Sequence, residues 1–282
     1  MLRRGKEDFM KPVDLKTLLE AGCHFGHKVN KWNPRASSFI YKAVGDTHII
    51  DLTKTKEGLE VAADFIIQLV GSGKEIVFVG TKRQASSLVK EQAERVGAPY
   101  LNRRWIGGFV TNWFEVKKNL EKLNTLKKQR NDKSVITQYT KRERLLMDRE
   151  MQKLDGNYGG VAMITEPPAA IVIVDTKKEI TAVREAKQKG IILVGIVDTN
   201  SNPDIIDYVI PANDDAVGSI TLILSYLADA YAEGKKKAQR NQEQKEKEMK
   251  KQKSITTDQD TKATKSSPEK KDSKKEKPKL AH

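Results

Sequence analysis

Cysteine is nearly missing from this chain: Cys23 is the sole one among 282 residues. That excludes an intramolecular disulfide and a four-cysteine zinc module, and it suits a reducing cytoplasm. Aromatic residues are sparse at 6%, and there are four histidines. No apolar run approaches the roughly 20 residues needed to cross a bilayer. The opening residues, MLRRGKEDFMKP, carry positive charge without the apolar stretch of a secretory signal. A soluble, intracellular protein is expected. Catalytic signatures are also lacking, since no Ser/His/Asp arrangement, paired-carboxylate site, nucleophile elbow or Gly-x-Gly-x-x-Gly stands out.

Positive charge is abundant, at a net +14. Its location says more than its sum. Residues 235–282 carry 17 Lys and Arg against 8 Asp and Glu, and residues 111–155 carry 12 against 7. These two segments hold the whole excess, so elsewhere cations act as local patches.

Short β-branched runs alternate with amphipathic helical stretches, the pattern of a parallel sheet covered by helices. EIVFVG (75–80), AIVIVD (170–175) and IILVGIVD (191–198) read as buried central strands. FIYKAVGDTHIIDL suggests two short strands around a turn at Gly45 and Asp46, and DYVIP (207–211) an edge strand ended by Pro211. Residues 53–70, 82–96, 177–189 and 215–233 have helical spacing, with Gly71, Gly97, Gly190 and Gly234 as stops. The architecture expected is a doubly wound, mainly parallel α/β domain.

Residues 111–155 break the alternation. Trp113, Val116, Leu120 and Leu123, then Met147, Met151 and Leu154, recur at three- and four-residue steps around a polar connection at 131–134. Such narrow seams predict two helices folded back as an inserted coiled-coil hairpin, a protruding arm rather than two ordinary core helices. Beyond Gly234 aromatics vanish, and little apolar surface remains to offset an ordering entropy of roughly 1–2 kcal/mol per residue. The expected organisation is a leader at 1–12, an α/β domain at 13–110 and 156–234, the hairpin at 111–155, and a disordered basic tail at 235–282.

Several sites compete. Gly71-Ser72-Gly73-Lys74 precedes its strand and lacks phosphate-loop spacing. Gly80-Thr81-Lys82 follows a strand and opens a helix, where backbone N–H groups favour a phosphate, including one from a nucleic-acid backbone, or where a plain turn suffices. Asp175 and Asp198 end strands, as magnesium-binding carboxylates do, but each equally begins a turn.

CHFGHKVNKWNPR (23–35) gathers Cys23, His24 and His27 with three further basic side chains, Lys28, Lys31 and Arg35, and a tryptophan. Zinc would want four ligands, or three in a catalytic site. Only His48 is available as another histidine in the folded part, so metal is not the favoured reading, and Cys23 reads as core. Lys28, Asn30, Lys31, Trp32, Asn33 and Arg35 follow without helical or strand periodicity. Cations, amides and a stacking aromatic on an irregular loop are what recognition of folded RNA uses. Asn102-Arg103-Arg104-Trp105-Ile106-Gly107-Gly108 repeats that chemistry, the arginines offering bidentate forks to phosphate. Trp105 and Trp113 serve equally as core anchors.

Taken together, LLEAGCHFGHKVNKWNP, HIIDLTKT, FVGTKRQA, RWIGGFVTNW, IVIVDTKKE and IVDTNSNPDIIDYVIPANDDAVGSI are similar, in order, to the bacterial type of small-subunit ribosomal protein two, over about residues 13–233. The resemblance implies a flavodoxin-like (Rossmann-like) domain with a coiled-coil arm, located in the cytoplasm on the small ribosomal subunit. It implies contacts with ribosomal RNA, with neighbouring ribosomal proteins and with the large messenger-binding one. It implies no catalysis, no cofactor, no small-molecule substrate and no membrane. Some relatives carry a metal ion, which keeps His24 and His27 as candidates. The expected RNA-binding set is His27, Lys28, Asn30, Lys31, Trp32, Asn33, Arg35, Lys82, Arg83, Asn102, Arg103 and Arg104. A nucleotide- or phosphate-binding enzyme or switch built on Gly80 to Lys82, Asp175 and Asp198 is the alternative. Cys23 replaces a residue usually aliphatic or small, and the leader and tail lie outside the likeness. The helical insertion fits the bacterial and organellar branch, and a diverged organellar member stays open.

Overall fold

The structure, a computed structural model, describes residues 12–132 and 139–263, with side chains described up to residue 243. Residues 1–11 of the expected leader, 133–134 of the expected helical connection, and 264–282 of the expected tail lie outside the described residues. The chain divides into a compact unit ending at Ala238 and a second unit from Gln239.

A small antiparallel sheet comes first, in the order β1-β3-β2, from β1 (Phe25–Lys28), β2 (Ile40–Val44) and β3 (Thr47–Ile50). The β2–β3 turn falls at Gly45, whose φ of 57° is the left-handed conformation that glycine adopts freely. Then β4 (Ile76–Val79), β5 (Tyr100–Leu101), β6 (Ala170–Val174), β7 (Ile192–Val197) and β8 (Tyr208–Pro211) form a parallel sheet ordered β5-β4-β6-β7-β8. Counted within that sheet the order is 2-1-3-4-5, a common doubly wound arrangement. The register is regular, with Ile76 to Val79 facing Ala170 to Ile173 one for one.

These strands read as unbroken apolar runs because both faces are covered. On one face Phe78, Val172 and Ile196 meet Leu59 and Ile66 of α2 (Leu52–Gly71), Val89 of α3 (Arg83–Val96), and Ile223 and Leu227 of α7 (Val217–Ala263). On the other, Val77, Ile171 and Ile173 meet Phe109 in the turn before α4 (Trp113–Asn131), Val116 and Leu120 in its first turns, and Val183 of α6 (Ile180–Lys189). Burying each such side chain is worth about 1.5–3 kcal/mol.

The structure departs from expectation in three places. Residues 25–28 pair with β3 as strand β1, and the rest of the loop winds through short 3-10 turns at Val29–Lys31 and Pro34–Phe39. The insertion is rooted in the core at its start, since Val116 and Leu120 are only 4% and 2% exposed and Phe109 meets Trp113 edge-on at 5.8 Å. Farther along, α4 packs against α5 (Lys141–Tyr158) through Leu123 and Met151, with ion pairs Lys127–Asp155 at 2.5 Å and Arg130–Asp148 at 3.3 Å. Finally, residues 235–263 are helical, where disorder was expected. Gly234 does not stop α7: a Cβ there would meet Val70 Cβ at 2.8 Å, so glycine lets the helix approach α2. Lys, Gln, Glu and Ala then propagate an already nucleated helix, with no Gly or Pro before Ala263.

Candidate nucleic-acid interface

Doubly wound sheets bind ligands at the carboxyl ends of their strands, where the order reverses. Here that crevice lies between β4 and β6, and it is filled by the protein's own charges. Lys82 Nζ sits 3.1 Å from Asp175, 2.7 Å from Asp214 and 2.6 Å from Asp215, with its side chain 13% exposed. The N–H of Thr81, at the start of α3, donates to Glu179 Oε1 at 3.2 Å, and the Thr81 hydroxyl donates to the same oxygen. A carboxylate thus occupies the position an incoming phosphate would take. Gly80 is explained by packing, because a Cβ would meet Val89 Cγ2 at 2.7 Å. Lys82, expected at an RNA surface, is turned into this cluster instead, because three carboxylates at the strand ends require a counter-charge.

The cluster also fastens the loop at residues 27–35. His27 Nδ1 lies 3.1 Å from Asp198 and Nε2 3.5 Å from Asp215. Its backbone N–H donates to Thr199 Oγ1 at 2.9 Å, and that of Asn33 to the Thr199 carbonyl at 2.8 Å. The hydrogen bond to Asp198 raises the His27 pKa above the usual histidine range despite burial. Burial, reinforced by the charges of Asp175 and Asp198, pushes Asp214 up to about 7. For Lys82, burial alone would lower the pKa, but hydrogen bonds to Asp214 and Asp215 outweigh it and raise it. Asp175 takes a left-handed φ of 64°, accepts from Lys178 N at 2.9 Å and still reaches Lys82, so it serves both as turn residue and as charge partner.

His27, Asp198 and Asp214 offer donor atoms within 4.8 Å of one another, and Asp214 Oδ2 is buried without a hydrogen-bond partner. These three fit a divalent cation. His24 lies outside that set, with its ring centroid 4.0 Å from that of Phe25. Cys23 is fully buried in the core.

With His27 and Lys82 committed inward, the exposed chemistry is Lys28, Asn30, Lys31, Trp32 and Arg35; Asn33 caps the second 3-10 turn by accepting from Arg35 N at 3.0 Å. Trp32 is 37% exposed and leans on His48 with ring centroids 5.3 Å apart. Arg35 pairs with Asp204 at 3.3 Å on the surface. The second basic stretch leaves the same carboxyl edge after β5. Asn102 exchanges hydrogen bonds with Ser86, at 2.7 and 3.2 Å, one helical turn beyond Arg83, which fastens the start of this stretch to α3. Arg83, Arg103 and Arg104 are exposed. Arg103 lies over Gly156 of α5, where a Cβ would come 2.5 Å from its Nη1.

Glu185, which sequence reasoning missed, organises this stretch from α6. It accepts from Trp105 Nε1 at 3.0 Å, Gly108 N at 2.9 Å and Thr111 Oγ1 at 3.2 Å. No local signal marks it, since its partners lie 74 or more positions away. Thr199, Glu179 and Asp214 were missed as well. A hint for Asp214 was its place in ANDDA after a strand-ending proline.

The site is thus an α/β scaffold whose crevice is occupied by internal ion pairs, with cations gathered on loops at one sheet edge. Its lineage is also specific. The profile of the family described as Ribosomal protein S2 matches residues 18–234. The chain is 48% identical over 226 residues to the small ribosomal subunit protein uS2 of Coprothermobacter proteolyticus, covering 80% of this chain and 84% of that protein. It is 45% identical to uS2 of Acinetobacter baylyi, covering 80% and 91%, and 45% identical to uS2c of Rhodomonas salina, covering 80% and 92%. The chain belongs to the ribosomal protein S2 family.

Proposed function

We propose that this protein is a non-catalytic structural component of the small ribosomal subunit that binds ribosomal RNA and neighbouring ribosomal proteins during translation in the cytoplasm. The observation that carries this reading is the family match across the α/β unit. The crevice supports it: a nucleotide enzyme or switch built on Gly80 to Lys82, Asp175 and Asp198 is disfavoured, because Glu179 and Lys82 already satisfy those groups. The domain acts as a rigid platform, and Lys28, Asn30, Lys31, Trp32, Arg35, Arg83 and Asn102 to Arg104 meet RNA. His27 and Lys82 act behind them by holding the loops in place. If His27, Asp198 and Asp214 hold a cation, it supplies the same fastening by bridging the loop to the strand ends. The α4–α5 pair serves as a helical arm of coiled-coil type beyond its rooted base. The large messenger-binding protein of the subunit is among the neighbours, and the basic residues after Gly234 add attraction for polyanions.

The test is cosedimentation with small subunits on sucrose gradients across salt concentrations, using the wild type and Arg103→Ala/Arg104→Ala. The variant should dissociate at lower salt, with a shallower dependence of log affinity on log salt by about one to two phosphate contacts. Unaltered association would remove the two arginines from the interface. Saturable micromolar binding of nucleotide to the purified chain would revive the enzyme reading.

A further inference from the structure

Among the described strands, β2 is exposed along nearly its whole length, four of its five residues facing solvent. It is an outer strand of the hairpin sheet. Tyr41 and Val44 on it are 69% and 53% exposed. The register explains the aim of Tyr41: Ile40 pairs with Ile50, yet Lys42 pairs with Ile49, leaving Tyr41 as the extra residue of a β-bulge. Bulges redirect a side chain at the cost of a ladder position and gather at functional edges. Lys42 Nζ lies 5.9 Å from the Tyr41 ring centroid. Beside the same small sheet, Trp32 rests against His48 of β3, which is paired across from Ala43 and buried with neither ring nitrogen hydrogen-bonded.

The charge around this strand selects the occupant. Residues 25–54 hold five Lys and Arg (Lys28, Lys31, Arg35, Lys42 and Lys54) against Asp46 and Asp51. A protein-docking face keeps charge out of its apolar centre. Here cations alternate with aromatic rings, as on surfaces that stack unpaired bases beside a neutralised phosphate chain. We propose that Tyr41 is a stacking platform for an unpaired RNA base, held on the bulged β2 edge and continuous with the basic loop at residues 28–35. The proposal rests on the RNA-binding reading above and assigns one nucleotide contact within it.

The experiment measures binding of the full chain to a labelled RNA hairpin with a single-stranded loop, and to an RNA duplex of equal length, across salt concentrations. Tyr41→Ala should weaken loop RNA about 10-fold, the range of one base stack. The salt slope should be unchanged because the ring is neutral, and Tyr41→Phe should bind like wild type. Duplex affinity and Tm should hold, since the side chain is exposed. Lys31→Ala/Arg35→Ala should flatten the salt slope instead. Wild-type affinity in Tyr41→Ala, while Arg103→Ala/Arg104→Ala is weakened, would overturn the platform and leave the RNA reading standing. If the wild type binds neither RNA, both fall. Unchanged RNA binding with lost association to purified small-subunit proteins would assign Tyr41 to a protein contact and overturn the proposal.

Discussion

Two lysine-bearing stretches meet at the carboxyl edge of the parallel sheet, one leaving β4 and the other docking there from the antiparallel sheet, and they do opposite work. Lys82 is nearly enclosed by Asp175, Asp214 and Asp215, whereas Lys28 and Lys31 stand in solvent on a loop pinned by His27 and Asn33. A buried ammonium must be paired or neutralised, so Lys82 is committed to the fold. An exposed one keeps its hydration, is screened beyond about 8 Å at physiological salt, and remains free to exchange counterions for phosphate. Charge type is thus a poor guide to role, and depth below the surface decides it.

The largest effect that could break this contrast is at Lys82. Lys82→Ala leaves the buried carboxylates without their cation and should cost about 3–5 kcal/mol, read as a lower urea midpoint. Lys31→Ala should change the unfolding free energy by no more than about 0.5 kcal/mol. A loss below 1 kcal/mol at Lys82 would show that the cluster neutralises itself by protonation, as the raised Asp214 permits. Next comes Glu185→Ala, which strands Trp105 Nε1, Gly108 N and Thr111 Oγ1 and should cost roughly 1–3 kcal/mol; Glu185→Gln, whose amide oxygen still accepts, should recover more than half. That pair sharpens the contrast by asking whether the second basic stretch depends on a half-buried acceptor as the first depends on His27.

A pH series tests Glu179, the buried N-cap residue of α6 that accepts from Thr81. Burial raises the Glu179 pKa, so the folded state holds its proton more tightly than the unfolded one. Its stabilising contribution is full below the unfolded value and fades as pH rises through the raised one. The stability of wild type relative to Glu179→Gln, measured by denaturant titration from pH 4 upward, should therefore fall with rising pH. The smallest effect is at the surface: Lys122→Ala breaks its pair with Glu150 between α4 and α5 and should cost under about 1 kcal/mol, vanishing in high salt.

Much of the scaffold was legible before any coordinates. The runs at 75–80, 170–175 and 191–198 are strands because β-branched residues buried on both sides leave no polar face to alternate. Gly97 and Gly190 end helices in the left-handed conformation that glycine tolerates. Less was legible where partners lie far apart. The two-residue β5 carries too little pattern to be seen. The start of α4 has a narrow seam that reads as a free arm, yet tertiary packing buries Val116 and Leu120 against the sheet. Of the basic residues singled out, Lys28, Lys31, Arg35, Arg83, Arg103 and Arg104 lie exposed at the carboxyl edge, while His27 and Lys82 look inward.

Taken alone, the order of residues determined the alternation of strands and helices, the stops between them, the shortage of catalytic groups and the two clusters of cations, because each is written in local spacing and composition. Only the tertiary structure decided which cations are spent. Whether Lys82 meets Asp214, His27 meets Thr199, or Glu185 gathers three donors depends on chain crossings of 74 to 172 positions. Burial at those crossings multiplies the strength of a charge contact that water would otherwise screen.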